Sequence, residues 1–384
     1  MDDQTKPDVT IRTLAAQGPG AHERITRAVT QPIHMSATFL RDADNRYPAG
    51  HVYGRTDNVS VQQAESLIAA LEGAEETFLF GSGMAAATSV LLALAKPTHI
   101  IASQVMYWGF RSWLRDIGRY GHCVSFVETS DLDAVRAEVR PGETGLFWIE
   151  TPSNPLWTIS DIAAICEIAH AAGAIVCVDS TVATPIFTRP LAFGADIVMH
   201  SATKYLNGHS DVVAGALATA RDGPLWSNIR KLRGQLGNAL SAFDAWLLMR
   251  GMRTLDIRVK SQARTAATLA ARLVGHAAVS EVLYPGLEHH AGHRTALRQM
   301  SGGFGGMFSI RVKKGENAAI AVAAAVNLWK RATSFGGIES LIEHRASIEG
   351  EGSPCPGDLL RFSAGLEDAD ELYGDLIRAL AVAV

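Results

Sequence analysis

One lysine in the chain stands where a short apolar run meets hydroxyl side chains. Lys204 follows the run Asp196 to His200, which predicts a buried strand, and Ser201 and Thr203 lie between that run and the lysine. A lysine amine can condense with an aldehyde, and hydroxyl groups can bind a phosphate. The lysine and the two hydroxyl side chains therefore fit a cofactor that carries an aldehyde and a phosphate. A lysine taken alone is typically a solvated surface residue.

Two further features supply the other parts that a pyridoxal 5'-phosphate (PLP) site needs. Asp179 ends the apolar run Ala174 to Val178, where an ionised carboxylate would keep a pyridine nitrogen protonated, so that the ring withdraws electrons. The same aspartate could instead cap a turn in Asp179-Ser180-Thr181. Phe80-Gly81-Ser82-Gly83-Met84 lies between a predicted strand and a predicted helix, where backbone N–H groups favour a phosphate. Its spacing is not that of a dinucleotide loop or a P-loop.

These residues require an α/β fold to bring them together. From Ile100 to Leu217 short apolar runs alternate with helical patterns, as in βαβ units around a mostly parallel sheet. In the clearest unit, Leu146 to Ile149 is a strand, Ser160 caps a helix that Gly173 ends, and Ala174 to Val178 is the next strand. Ligands of such sheets bind beyond the carboxyl ends of the strands, where the candidate residues stand.

The chain divides into three parts by pattern. Residues 1–58 are rich in Gly, Pro, Thr and Arg without sustained periodicity, and we expect them to form an extended arm. We expect residues 59–248 to form a large PLP-binding domain and residues 249–384 to form a smaller α+β domain. The elements predicted in the smaller domain are helices over Ser261 to Val274 and Ala318 to Arg331 and strands over Met307 to Val312 and Leu359 to Ser363.

Composition excludes several classes of function. Of 384 residues, 47% are hydrophobic and 19% charged, and the net charge of -4 offers no basic surface for nucleic acid. The richest apolar stretch, Met84 to Ala95, is too short to span a membrane. The N-terminus lacks a secretory pattern and the 4 cysteines are scattered, so we expect a cytoplasmic protein. His289, His290 and His293 lack carboxylate partners at ligand spacing, so no metal site is predicted.

Residues 196–211 and several shorter motifs are similar to those of one enzyme family. Residues 196–211 read Asp-Ile-Val-Met-His-Ser-Ala-Thr-Lys-Tyr-Leu-Asn-Gly-His-Ser-Asp and resemble throughout the lysine signature of the Cys/Met-metabolism, or transsulfuration, family. The shorter motifs follow in the family's order: Tyr53-Gly54-Arg55, Glu150-Thr151-Pro152-Ser153-Asn154-Pro155, Asp179-Ser180-Thr181, Ser334-Phe335-Gly336-Gly337-Ile338-Glu339-Ser340-Leu341 and Arg361-Phe362-Ser363-Ala364-Gly365. The resemblance implies a fold-type I PLP-dependent transferase, with a mostly parallel sheet in the large domain and a smaller C-terminal α+β domain.

The resemblance implies a role for each matching residue near the cofactor. Lys204 would hold PLP as a Schiff base, Asp179 would pair with the pyridinium, and Asn154 would contact the ring 3'-oxygen. Tyr107 would stack on the ring and assist proton transfer. The implied phosphate contacts within the chain are Gly83, Met84, Ser201 and Thr203.

It also implies contacts between subunits and with a substrate. Tyr53 and Arg55 would reach the phosphate from the neighbouring subunit, so a dimer would be the minimal active unit, and we expect a homotetramer. Arg361 would pair with the α-carboxylate of a small amino-acid substrate, for which its planar fork is suited. Ser334, Asn154 and Tyr53 are expected near the same substrate.

The implied reactions form a related group. They are γ-replacement or α,γ-elimination on a sulfur-containing or O-acylhomoserine-type amino acid, as in the cystathionine γ-synthases and γ-lyases of methionine and cysteine metabolism. Lys204 would take the Cα proton and, for γ chemistry, would also move protons at Cβ. Cystathionine β-lyase or other C–S lyase chemistry stays open. A non-catalytic scaffold is a further alternative, and intact Lys204, Asp179 and Arg361 argue against it.

The positions that set specificity depart from the family's pattern. Thr333 precedes Ser334-Phe335-Gly336-Gly337, where γ-enzymes usually carry Glu and β-lyases usually carry Tyr. Ser112 stands where γ-enzymes have an Arg, so no contact with a distal carboxylate is assigned. Gly109 stands where methionine γ-lyases place a cysteine, which disfavours that activity. The sequence therefore indicates the cofactor more sharply than the substrate.

Overall fold

The structure, a computed structural model, describes residues 9–18, 23, 25–350 and 352–383, which form two sheets with helices packed against them. The first sheet contains β1 (Glu76–Phe80), β2 (His99–Ser103), β3 (Cys123–Val127), β4 (Thr144–Glu150), β5 (Ile175–Asp179), β6 (Ile197–His200) and β7 (Gly215–Thr219). The second contains β8 (Val279–Leu283), β9 (Met307–Val312), β10 (Lys330–Arg331), β11 (Leu341–His344) and β12 (Leu359–Ser363).

The α-helices of the described chain lie before, between and after these strands. They are α1 (Ile11–Gln17), α2 (Gly54–Asp57), α3 (Val59–Glu72), α4 (Gly83–Leu92), α5 (Trp108–Arg115), α6 (Leu132–Ala137), α7 (Ile162–Ala171), α8 (Thr184–Phe187), α9 (Pro224–Leu236), α10 (Ala242–Met252), α11 (Leu255–Leu273), α12 (His293–Gln299), α13 (Glu316–Ala325), α14 (Ala346–Glu349) and α15 (Ala369–Leu380). None of them is long and apolar enough to cross a membrane.

The first sheet has the order β1-β7-β6-β5-β4-β2-β3 and is mostly parallel, as predicted. Only β7 runs against its neighbours β1 and β6. The central strands are apolar along most of their length because helices cover both faces, as for α4 and α7. The carboxyl ends of β4, β5 and β6 consequently open at one edge, and Glu150 lies beside Asp179 in the register of β4 and β5.

The second sheet has the order β10-β11-β12-β9-β8 and is antiparallel except between β10 and β11. The strands predicted over Met307 to Val312 and Leu359 to Ser363 are confirmed as β9 and β12. Helix α11 packs its first half in the core of the large sheet and its second half in the core of the smaller one. We propose that the arm ends at residue 58 and that the large domain ends at residue 248.

Three helix boundaries differ from the predictions. The helix predicted to begin at Ser261 begins earlier, as α11 at Leu255. Ser160 does not cap α7, because the Asp161 carboxylate accepts the N–H of Ala164 at 3.1 Å. The Ser160 hydroxyl instead bonds to that of Thr129 at 2.7 Å. A charged acceptor one residue later is the stronger cap.

The helix expected over Ala318 to Arg331 ends early, at Ala325. The Asp375 carboxylate accepts the backbone N–H groups of Asn327 and Leu328, which turns the chain away from the helix axis before β10. This contact comes from α15, about 50 residues further along the chain, so no local pattern could reveal it.

The N-terminal arm is not extended throughout. Helix α1 begins after Thr10, whose hydroxyl accepts the N–H of Thr13, and its Ala15 is buried in the core formed by α3 and α11. Residues 1–8 and most of 19–24 lie outside the described part of the chain. The arm is thus anchored near its start.

Candidate active site

A cleft of about 230 Å³ lies where the carboxyl ends of β4, β5 and β6 meet the amino end of α4. It brings together most of the residues predicted from the sequence. Those that line it are Gly83, Met84, Tyr107, Asn154, Asp179, Ser201, Thr203 and Lys204.

Lys204 points into this cleft from the loop that follows β6. Its Nζ donates to the Ser334 hydroxyl at 2.6 Å and lies 5.2 Å from the centroid of the Phe335 ring. Burial lowers the pKa of the Lys204 amine to about 8, and the nearby Arg361 cation adds to the effect. The Lys204 amine therefore loses its proton more readily near neutral pH than an ordinary lysine does.

Ser334 reaches Lys204 from an unusual backbone conformation. Its φ of 83° lies in the left-handed region, which costs a non-glycine residue roughly 1–3 kcal/mol. The Ser334 carbonyl accepts from Arg361 Nη2 at 2.8 Å, and the N–H of Gly336 donates to Ser363 Oγ at 2.9 Å. These bonds hold the turn that aims the hydroxyl at the lysine.

Asp179 ends β5 and is buried. Its Oδ1 accepts the N–H of Thr181 at 3.0 Å and the Thr181 hydroxyl at 2.5 Å, so it forms the turn considered from the sequence and also faces the cleft. The Thr181 oxygen in turn accepts the N–H of Ser201 at 2.8 Å. Burial raises the pKa of Asp179, and the bonds from Thr181 oppose that rise. A cation such as a pyridinium would compensate the buried carboxylate, which fits the PLP ring.

The amino end of α4 fits a phosphate. Ser82 caps this helix by accepting the N–H of Ala85 at 3.0 Å, and Gly83 begins it. A Cβ on Gly83 would lie 3.0 Å from the Ser201 side chain, so glycine allows the two segments to approach closely. The Thr203 hydroxyl is already bonded to the backbone of Ala214, at 3.1 and 3.0 Å, which limits what it can give to a phosphate.

Tyr107 and Asn154 stand on neighbouring loops. Tyr107 precedes α5, and a Cβ on Gly109 would lie 3.0 Å from its ring. A side chain at position 109 would therefore press on the tyrosine. Asn154 follows β4, and its Oδ1 accepts from Arg361 Nη1 at 3.2 Å. Between them stands Glu150, a cleft residue to which the sequence analysis gave no role.

Arg361 lies behind the cleft in a buried ionic network. It is 3% exposed, and its Nη2 pairs with Glu343 Oε2 at 2.5 Å. Glu343 also pairs with Arg345 at 2.9 Å, and Arg345 pairs with Glu349 at 2.8 Å. Burial lowers the pKa of Arg361 to about 10, so it stays a cation at neutral pH. Glu343 was missed, although its position opposite Arg361 in the register of β11 and β12 follows from the two strands.

The structure does not bring every predicted residue to the cleft of its own chain. Among the described residues, neither Tyr53 nor Arg55 lines it. Tyr53 is 49% exposed, and the Arg55 guanidinium lies 5.5 Å from its ring centroid. Ser112 is exposed on α5, and the adjacent Arg111 donates to the carbonyl of Gly352 at 3.2 Å.

No metal cluster forms among the described residues. In particular, His293 Nδ1 bonds to the carbonyl of Pro285 at 2.8 Å, and His290 Nδ1 accepts the N–H of Gly292 at 3.1 Å. The histidines thus serve local turns.

Known proteins share both the sequence and this fold. A family model for the Cys/Met metabolism PLP-dependent enzyme matches residues 12–381. A cystathionine gamma-synthase of Mycobacterium tuberculosis is 43% identical over 362 residues, which cover 92% of each protein. A cystathionine beta-lyase of Lactococcus lactis is 38% identical and covers 96% of this chain and 98% of its own length. The crystal structure of a cystathionine gamma synthase from Xanthomonas oryzae pv. oryzae in complex with cystathionine has a TM-score of 0.93 and 35% identity, and the match covers 98% of both chains.

The match over nearly the whole length agrees with the cleft, in which a lysine, a buried aspartate and a helix amino end surround one space. The protein is an enzyme of fold type I that uses PLP, and it belongs to the Cys/Met metabolism PLP-dependent enzyme family.

Proposed function

We propose that this enzyme acts at the γ carbon of its substrate, by γ-replacement or α,γ-elimination on a sulfur-containing or O-acylhomoserine-type amino acid. The observation that carries the proposal is the Lys204 amine, held 2.6 Å from the Ser334 hydroxyl with its pKa lowered to about 8. Such an amine can take a proton from Cα and then exchange protons at Cβ, which γ chemistry requires. The gamma-synthase relatives favour replacement over elimination.

The remaining residues of the cleft bind and orient. Bound PLP supplies the electron withdrawal that acidifies the Cα–H bond. Asp179 keeps the ring nitrogen protonated, and Ser201 with the amino end of α4 holds the phosphate. Lys204 is the residue that bonds to the cofactor and moves the protons. These groups are close enough to share one ligand because strand ends and a helix start meet there.

A second set of residues orients the substrate. Arg361 binds the α-carboxylate, with Ser334 beside it, and so turns the Cα–H bond toward Lys204. Asn154 and Tyr107 line the cleft, where Asn154 would contact the ring 3'-oxygen and Tyr107 would stack on the ring and assist proton transfer. Arg361 is 3% exposed, lies behind the cleft and already pairs with Glu343, so in this proposal the substrate carboxylate shares the guanidinium with Glu343.

The active unit in this proposal is a dimer at least, and a tetramer is expected. Tyr53 and Arg55 are exposed and lie away from their own cleft, which fits a role in the site of a neighbouring subunit. The arm also exposes large apolar side chains that a second copy would cover. They are Ile25 at 91%, Val29 at 80%, Met35 at 71% and Leu40 at 91% exposure. We place the enzyme in the cytoplasm.

A β-lyase activity is the second candidate, because a beta-lyase of Lactococcus lactis is 38% identical over nearly the whole chain. Thr333 matches the usual residue of neither group, and Ser112 lacks the Arg of γ-enzymes, so the products formed from each substrate must distinguish the two activities.

The test is to incubate the purified holoenzyme with O-acylhomoserine plus cysteine, with cystathionine and with methionine, and to identify each product by mass spectrometry. The expected product of the first mixture is the thioether, and elimination at Cγ would give 2-oxobutanoate. Pyruvate from cystathionine as the main product would support the β-lyase. Inactivity on all three, in a protein that still binds PLP, would overturn this substrate class, and the Lys204→Ala variant serves as the blank.

A further inference from the structure

The carboxylate that ends β4 joins two loops of the cleft. Glu150 Oε2 accepts the backbone N–H of Tyr107 at 2.7 Å, and Oε1 accepts the backbone N–H of Asn154 at 2.8 Å. Tyr107 lies on the loop after β2 and Asn154 on the loop after β4, and these two strands are neighbours in the sheet. One side chain therefore fixes the spacing of the two loops.

Neighbouring residues also hold Glu150 in place. Its backbone N–H donates to the Ser103 hydroxyl at 3.1 Å, it lies beside Asp179 across β4 and β5, and it is only 5% exposed. Burial raises the pKa of Glu150 well above its ordinary value, and the Asp179 carboxyl raises it further. A second buried acid beside Asp179 destabilises the fold. We therefore expect Glu150 to serve through the two backbone N–H groups that it binds.

We propose that Glu150 is a positioning residue, which sets the Tyr107 ring and the Asn154 amide relative to the PLP ring through these two backbone hydrogen bonds. Glu150 acts through these residues. Asn154 also links Glu150 to Arg361, because Asn154 Oδ1 accepts a hydrogen bond from the Arg361 guanidinium. This inference goes beyond the proposed reaction, since it concerns the orientation of the cofactor and is the same for β and γ chemistry.

The experiment compares Glu150→Gln with a matched control, Glu65→Gln. Glu65 is also a glutamate with little exposure, its side chain being 12% exposed. It accepts the N–H of Leu79 at 2.9 Å and pairs with Arg233 at 2.8 Å, away from the cleft. In Glu150→Gln the side-chain NH₂ faces one of the two N–H groups, so one loop must move. In Glu65→Gln the loops of the cleft stay in place.

The readouts need no substrate and are therefore independent of the proposed reaction. They are the visible circular dichroism of bound PLP, the PLP dissociation constant and the thermal unfolding temperature. We expect both variants to unfold at lower temperature. Only Glu150→Gln should change the dichroism and weaken PLP binding, by about tenfold.

Unchanged dichroism and PLP affinity in a folded Glu150→Gln protein would overturn the proposal and leave Glu150 a structural residue. If Glu150→Gln does not fold, Glu150→Asp decides. It keeps the carboxyl group, but its shorter side chain reaches only one of the two loops. We expect altered dichroism for Glu150→Asp, and a spectrum equal to that of the parent enzyme would contradict the proposal.

Discussion

The two sides of the active site are built differently. The cofactor side, formed by Gly83, Asp179, Ser201 and Lys204, sits on strand ends and a helix start of the large parallel sheet. The carboxylate side is the buried network of Arg361, Glu343, Arg345 and Glu349, which the second sheet and α14 support. In the proposed site, strand ends and a helix start would place the cofactor, whereas paired charges would place the substrate.

The largest effect is expected on the cofactor side. Lys204→Ala removes the group proposed to bond to PLP and to move protons, so we expect activity to fall by about a thousandfold or more. Borohydride reduction followed by peptide mass spectrometry would find no PLP on the chain. A Lys204→Ala protein that still formed a reducible bond with PLP would contradict the assignment.

On the carboxylate side, Arg361→Lys should lower kcat/KM by roughly 100-fold, because a lysine cannot make the two parallel hydrogen bonds of a guanidinium. The PLP dissociation constant should change far less than kcat/KM, which separates the two sides. Arg311→Lys is the control, because Arg311 pairs with Asp358 on the same sheet and lies away from the cleft. Equal losses in both variants would show that the second sheet matters only for stability.

A smaller change is expected when the partner of Arg361 is neutralised. Glu343→Gln leaves Arg361 in place but removes the carboxylate charge that pairs with its guanidinium. We therefore expect KM to rise by about tenfold while kcat changes little. Steady-state kinetics at saturating second substrate measure the split. A fall in kcat alone would indicate that Glu343 takes part in the chemistry instead.

Most of the cofactor side could be predicted from the sequence, because each residue follows a local signal. Asp179 and Lys204 follow apolar runs, and Gly83 stands between a strand and a helix. The carboxylate side gave fewer such signals. Glu343 meets Arg361 only after β11 pairs with β12, and Arg345 joins the network through Glu343. The backbone turn of Ser334 also depends on a tertiary contact, with Arg361.

The smallest expected effect is a shift in pH dependence, which links the two sides. The Lys204 amine has a pKa of about 8, so it is protonated below that pH and neutral above it, and kcat should rise as pH increases through about 8. The Glu343 carboxylate raises the pKa of this amine, so Glu343→Gln should move the ascending limb to lower pH. A limb that moves to higher pH would contradict this coupling.

The central claim, that Lys204 moves protons at Cβ as well as at Cα, is tested most directly by carrying out the reaction in D₂O. The substrate is O-acylhomoserine with cysteine, and mass spectrometry with NMR locates deuterium in the product and in recovered substrate. We predict deuterium at both Cα and Cβ. Thioether product that carries deuterium at Cα and none at Cβ would contradict the claim that Lys204 exchanges protons at Cβ.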